Sequence, residues 1–142
     1  MPGPHAQFSP SSAYRWISCP GSVAMSKGLP DDEGTVYAME GTIAHHMAEL
    51  ILTGKKPEPD DAETEFLYNN KIDLDELLKN VRYYTDYIGG LIEGEGVDLF
   101  VEQRLDLESV TGEPGAGGTS DCVILRPKKD GTRSMFIIDL KY

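Results

Sequence analysis

The residues best placed to do chemistry lie near the end of the chain. Thr119 to Arg126 and Arg133 to Leu140 are β-rich runs flanking Pro127-Lys128-Lys129-Asp130-Gly131, a hairpin turn. Asp121 stands nine residues before Asp130, and Asp139 nine residues after it. In a regular antiparallel pair two such residues lie opposite each other, with Cβ atoms about 5 Å apart. Lys141, two residues past Asp139, points to the same face. Two carboxylates set against apolar strands repel each other and raise a pKa unless a cation joins them. Hard oxygen ligands with open positions suit Mg²⁺ or Mn²⁺. A lysine beside them can hold or activate a water, or stabilise charge developing on a phosphate. The plainer alternative is a solvated Asp–Asp–Lys cluster on an edge hairpin, and a one-residue register slip would break the geometry.

A second candidate lies on a helix. Thr35 can cap a helix running to about Leu52, with Gly54 as its stop. At about 100° per residue, Val36, Met39, Ile43, Met47 and Leu50 form one apolar face. The opposite side holds Ala38, Gly41, His45, Ala48 and Glu49. Small residues there let a sheet approach closely, leaving His45 to point into the contact as an imidazole ligand for Mn²⁺ and similar ions. Glu49 is one turn on from His45 and shares its side, which makes it a candidate outer-shell acid. His46, at the edge of the apolar face, reads as a packing residue.

The remaining elements must position these groups. Residues 1–8 read as a loose arm. Ser9-Pro10-Ser11-Ser12 is a helix start, followed by a short helix through Tyr14, Trp16 and Ile17 that Cys19-Pro20-Gly21-Ser22 breaks. Residues 29–34 are a loop, and residues 55–61 a Pro- and acid-rich connector. A helix is expected near 62–70, and Asp73 with Glu76 makes a capping-box-like start for another. Leu74, Leu77, Leu78, Val81, Tyr84, Ile88 and Leu91 recur at helical spacing, with Gly89, Gly90, Gly94 and Gly96 ending the run. Leu99, Val101, Leu105 and Leu107 then alternate with polar and aromatic residues in a strand pattern, and Thr111 to Gly118 reads as a Gly-rich loop. Glu102 in that strand reads as a surface glutamate, with an outer-shell role at the metal as the alternative. The fold class expected is α+β, one domain over 1–142: helices over 1–97, then an antiparallel β-meander over 98–142.

A chain of 142 residues can bury a core without needing a disulfide or metal merely to fold. Its two cysteines, Cys19 and Cys122, cannot form a disulfide framework and fit a reducing cytoplasm. No apolar run is long enough for a membrane span, and the first residues lack the pattern of a signal peptide. The formal net charge is −11, which argues against a polyanion partner until its distribution is read. Residues 31–108 carry 6 basic and 20 acidic residues, whereas residues 109–142 carry 5 basic and 4 acidic. The acid sits in the middle, so the two ends can still face a polyanion.

Taken together, these residues resemble the RecB-type branch of the PD-(D/E)XK nuclease superfamily. Gly41 to His45 is similar to its G-x-x-x-H helix motif, Gly118-Thr119-Ser120-Asp121 to its strand-borne G-x-x-D, and Asp139-Leu140-Lys141 to the (D/E)-x-K itself. Ser9 to Ser12 and Cys19-Pro20 resemble the serine-rich helix and Cys-Pro that open many such enzymes, and an uncharacterised phage and prophage family of this type is the nearest likeness. The resemblance spans residues 5–142. It implies a restriction-endonuclease-like core with Mg²⁺ or Mn²⁺ held by His45, Asp121, Asp139 and the backbone carbonyl of Leu140. Lys141, Asp139 and Asp121 would be catalytic. The implied activity is metal-dependent hydrolysis of DNA, exonucleolytic in form, serving recombination or DNA processing in the cytoplasm of a bacterial host.

Three further expectations follow from the resemblance. Relatives continue past the lysine with more sheet and a DNA-contacting helix, so the chain reads as the N-terminal portion of a core that a missing C-terminal half or partner subunit completes. The 142-residue chain by itself is then expected to cut DNA poorly. In some relatives the Cys of Cys-Pro joins three later cysteines around an iron–sulfur cluster; such a cluster needs four thiolates, and only Cys122 accompanies Cys19 here. Cys19 otherwise reads as a buried free thiol in a tight turn. The rival function is a nuclease-fold protein, catalytically weak, that acts as a binding or regulatory module.

Overall fold

The computed structural model describes residues 8–27 and 34–142. The arm over 1–8 therefore lies outside the described residues except for Phe8, and the loop over 29–34 except for Gly34. A 3₁₀ turn, Pro10–Ser12, runs into α1 (Ala13–Ser18), and α2 (Gly21–Ser26) follows the Cys19-Pro20 break. Three longer helices come next: α3 (Val36–Leu52), α4 (Asp61–Asn70) and α5 (Leu74–Leu91). The chain ends with β1 (Asp98–Asp106), a single turn α6 (Glu108–Thr111), β2 (Gly117–Pro127) and β3 (Arg133–Ile138). The strands form one three-stranded antiparallel sheet in the order β1-β2-β3, so the molecule is mixed α+β with helices first. Among the described residues, no helix is long and apolar enough to cross a membrane.

The chain divides into two compact units: one holds residues up to 32 with 104–120, the other 33–103 with 121–142. In the first, the Trp16 ring meets Phe8 edge-on at 5.5 Å, and its Nε1–H donates to the Ser9 carbonyl at 3.1 Å. The Phe8 N–H donates to the Glu113 carboxylate at 3.0 Å. Gly118 sits so close to the Pro10 ring that a Cβ there would lie 2.6 Å from Cγ, which is why only glycine fits.

The second unit is built on α3 and α5. The Thr35 hydroxyl accepts from the Ala38 N–H at 3.2 Å and starts α3, and Gly54 (φ +74°) follows its end. Asp60 and Glu63 close a reciprocal capping box on α4, and Lys71, left-handed at φ 56°, ends it. The Asp73 carboxylate accepts from the Asp75 and Glu76 N–H groups at the head of α5. Ile43, Ala44 and Met47 of α3 are buried against Leu77 and Val81 of α5, with Leu67 of α4 and Leu140. A second cluster joins Ile88 to Cys122 and Ile124 of β2, flanked by Leu91, Val97 and Ile138. Each large apolar side chain so buried contributes about 1.5–3 kcal/mol.

Some expectations are corrected. Val36 and Met39 are nearly half exposed, so the buried face of α3 is Ile43, Ala44, Met47 and Ala48 rather than the five residues expected. Gly89 and Gly90 do not end α5; the helix runs to Leu91, and Gly94 and Gly96, both at positive φ, turn the chain. Leu107 leaves the strand to precede α6, and the expected loop over 111–118 is shortened at both ends by α6 and β2.

Candidate metal centre

The hairpin register places the carboxylates. Cys122 pairs with Ile138 and Ile124 with Phe136, so Asp121 and Asp139 stand opposite each other one step beyond the last paired residues. The two carboxyls lie close enough to perturb each other's ionisation. Lys141 forms an ion pair with Asp139. The Leu140 N–H donates to Asp121 Oδ2 at 2.6 Å, tying the end of the hairpin to the start of β2. His45 reaches the same carboxylate from α3, with Nδ1 3.1 Å from Asp121 Oδ1.

Glu102 completes the group. His45, Glu102 and Asp121 each offer one ligand atom, all within 4.8 Å of one another. Glu102 is exposed, as its surface reading expects, and its carboxylate also reaches this group. Within β1 it stands at φ 50°, in the left-handed region. That conformation costs an L-residue roughly 1–2 kcal/mol. Asp139 and Leu140 lie beside the trio and contribute, respectively, a carboxylate already paired with Lys141 and an N–H donated to Asp121. Glu49 bears on Glu102 electrostatically but is not one of the three converging groups.

The charges behave as a crowded acidic site should. Burial, above all, pushes the Asp121 carboxyl up; the Leu140 N–H and His45 oppose that shift, and Asp139 adds to it. Asp139 lies below its usual range: burial works upward, but hydrogen bonds from Lys141 and from Asp121 outweigh it. Of the two carboxyls, Asp121 therefore holds a proton the more readily. Burial, then Asp121 and Glu49, raise Glu102, with His45 pulling the other way. Hydrogen bonding to Asp139 raises Lys141, which stays an ammonium. One imidazole and two carboxylates whose ionised forms are disfavoured in isolation form a donor set that a divalent cation such as Mn²⁺ or Mg²⁺ satisfies.

One cleft is lined by His45, and a second adjoins it at Lys141 and Tyr142. The first, of about 380 Å³, runs past Ala38, Gly41, Thr42 and His45 to Leu140, Lys141 and Tyr142. Nothing lies within 4 Å of where a Gly41 Cβ would stand. The other, about 600 Å³, is lined by Glu40, Lys71, Asp73, Glu76, Asn80, Lys141 and Tyr142, among others. The Lys141 side chain, 87% exposed, is in the wall of both.

The other singled-out residues fall elsewhere. His46 Nδ1 bonds the Glu63 carboxylate at 2.8 and 3.0 Å and so links α3 to α4, a polar role rather than the apolar packing expected. Cys19 is exposed, not buried, because the Pro20 turn ends α1 at the surface; Cys122 is buried, and burial raises its thiol pKa and keeps it protonated. Tyr84 was legible only as one member of the apolar face of α5, yet its hydroxyl is buried and bears on this site. No solved structure matches the chain. The family model described as protein of unknown function, DUF2800, matches residues 5–142, and the chain therefore belongs to the DUF2800 family.

Proposed function

We propose that this chain carries the metal-dependent site of a DNA nuclease with a restriction-endonuclease-like core, hydrolysing phosphodiester bonds from DNA ends. The observation that supports the reading is the convergence of His45, Glu102 and Asp121, with Asp139 and Lys141 alongside, next to a cleft that His45 and Lys141 both line. The order of the three motifs along the chain supports it as well. His45, Glu102, Asp121 and Asp139 would hold the cation, which when bound supplies Lewis-acid polarisation of a phosphate. Lys141 presents a mobile ammonium to the same space, where it orients an attacking water and offsets charge developing on the phosphoryl oxygens. Asp139 aims that ammonium, and the Leu140 N–H fixes the Asp121 carboxylate.

A second reading has its own support. Lys141 is already ion-paired with Asp139, and the net charge of −11 opposes polyanion binding, as suits a binding or regulatory module. Calorimetry with Mn²⁺ and cleavage of linear DNA in Mn²⁺ at low salt separate the two. The nuclease reading expects one Mn²⁺ site per chain, weakened at least about tenfold in Asp121→Asn. It expects Lys141→Ala to keep Mn²⁺ binding while losing about 10²-fold or more in cleavage rate. Mn²⁺ binding without Lys141-dependent cleavage favours the second reading, and absence of Mn²⁺ binding rejects the metal site.

A further inference from the structure

Tyr84 stands on the buried face of α5, one turn before Ile88, and packs against both core clusters, the one that contains Leu140 and the one that contains Cys122. Its hydroxyl oxygen is inaccessible to solvent and makes no hydrogen bond among the described residues. A phenylalanine would fill the same space without that cost, so a buried phenolic O–H with nothing to donate to calls for a partner that arrives later. The ionisable groups that bear on the phenol are Cys122, Asp121, Asp139 and Glu102. Three of these are the carboxylates of the candidate metal centre. Asp121 already spends one oxygen on the Leu140 N–H and turns the other to His45, and each oxygen retains a further lone pair.

We infer that Tyr84 is a positioning residue of the metal centre, its hydroxyl donating from the core side, directly or through one buried water, to the Asp121 carboxylate when a cation is bound. The inference rests on the metal-site reading above and adds to it the group that orients a ligand from behind. In the cation-free protein the hydroxyl is a liability; in the loaded protein it holds Asp121 ionised and correctly turned, as outer-shell donors do for metal-binding carboxylates.

Tyr84→Phe tests this through two readouts that a merely structural role would not move in opposite directions. The cation-free variant should melt higher than wild type by about 3 °C, having lost a buried unsatisfied hydroxyl. The same variant should bind Mn²⁺ roughly tenfold more weakly in calorimetry, the size of a lost hydrogen bond to a charged group. Tyr87→Phe, an exposed position on the same helix, should change neither. An unchanged or lower melting temperature would show the hydroxyl already satisfied and overturn the inference. Equal Mn²⁺ affinity in Tyr84→Phe and wild type would overturn it while leaving the metal centre intact. Failure of wild type itself to bind Mn²⁺ would reject the metal centre and Tyr84's role together.

Discussion

Asp121 meets three demands at once: it accepts the Leu140 N–H, faces His45, and stands against the Asp139 carboxylate. Burial raises its pKa, so the folded, cation-free protein binds a proton more tightly here than the unfolded chain does. The stability this group contributes is therefore present at low pH and lost as pH rises through the raised folded value. Asp139, whose folded value is lowered, works the other way: its contribution is present above the unfolded value and lost as pH falls through the folded one. Cation binding must expel the proton on Asp121. Mn²⁺ affinity should accordingly begin to fall at a pH above the range in which ordinary aspartates titrate, steepening toward tenfold per unit. Calorimetry across pH 4–7 checks this; an affinity flat down to pH 4 would contradict the assigned direction. In Asp121→Asn the residual affinity should depend on pH less steeply, keeping only the share that Glu102 contributes.

Elements were legible where local chemistry decides them. Thr35 and Asp73 each announce a helix start by side chains that satisfy free N–H groups, and each does so in the structure. The Asp60–Glu63 capping box, one residue inside the expected connector, went unread. The hairpin's nine-residue symmetry about Asp130 placed Asp121 opposite Asp139 because strand register is fixed by the turn. What failed was decided by tertiary contact. Gly89 and Gly90 each cost a helix about 1 kcal/mol, yet α5 continues through them because Ile88 and Leu91 pack against Cys122 and Ile124. The strand pattern put Glu102 at the surface, where it is, but alternation gives only a face, so it could not show that this carboxylate also reaches His45 and Asp121. The motif glycines illustrate the same split. Gly118→Ala would push a Cβ into the Pro10 ring and should cost about 1–3 kcal/mol in urea denaturation, whereas Gly41→Ala, with open space around it, should cost nothing.

Charge organises the whole molecule differently from what its total suggests. The acidic excess lies in residues 31–108, while the turn of the β2–β3 hairpin carries Lys128 and Lys129, both exposed. Arg133 nearby is engaged: it pairs with Asp98 at 2.7 Å and donates to the Gly96 carbonyl. The hairpin thus bears carboxylates at one end and exposed lysines at the other. At roughly 3.3 Å per residue, the six steps from Asp121 to Pro127 separate the two ends by about 20 Å. In duplex DNA each strand carries a phosphate for about every 3.4 Å of helix axis, so that distance corresponds to roughly six base pairs. The hairpin is in this sense a ruler. If duplex DNA is the substrate, a duplex shorter than about six base pairs can reach the carboxylate end or the lysine end but not both. Affinity measured over a ladder of loop-closed duplexes from about four to twelve base pairs in Mn²⁺ at low salt should climb until that length and then level off. Replacing both Lys128 and Lys129 with glutamate should flatten the climb while leaving the shortest duplexes unaffected.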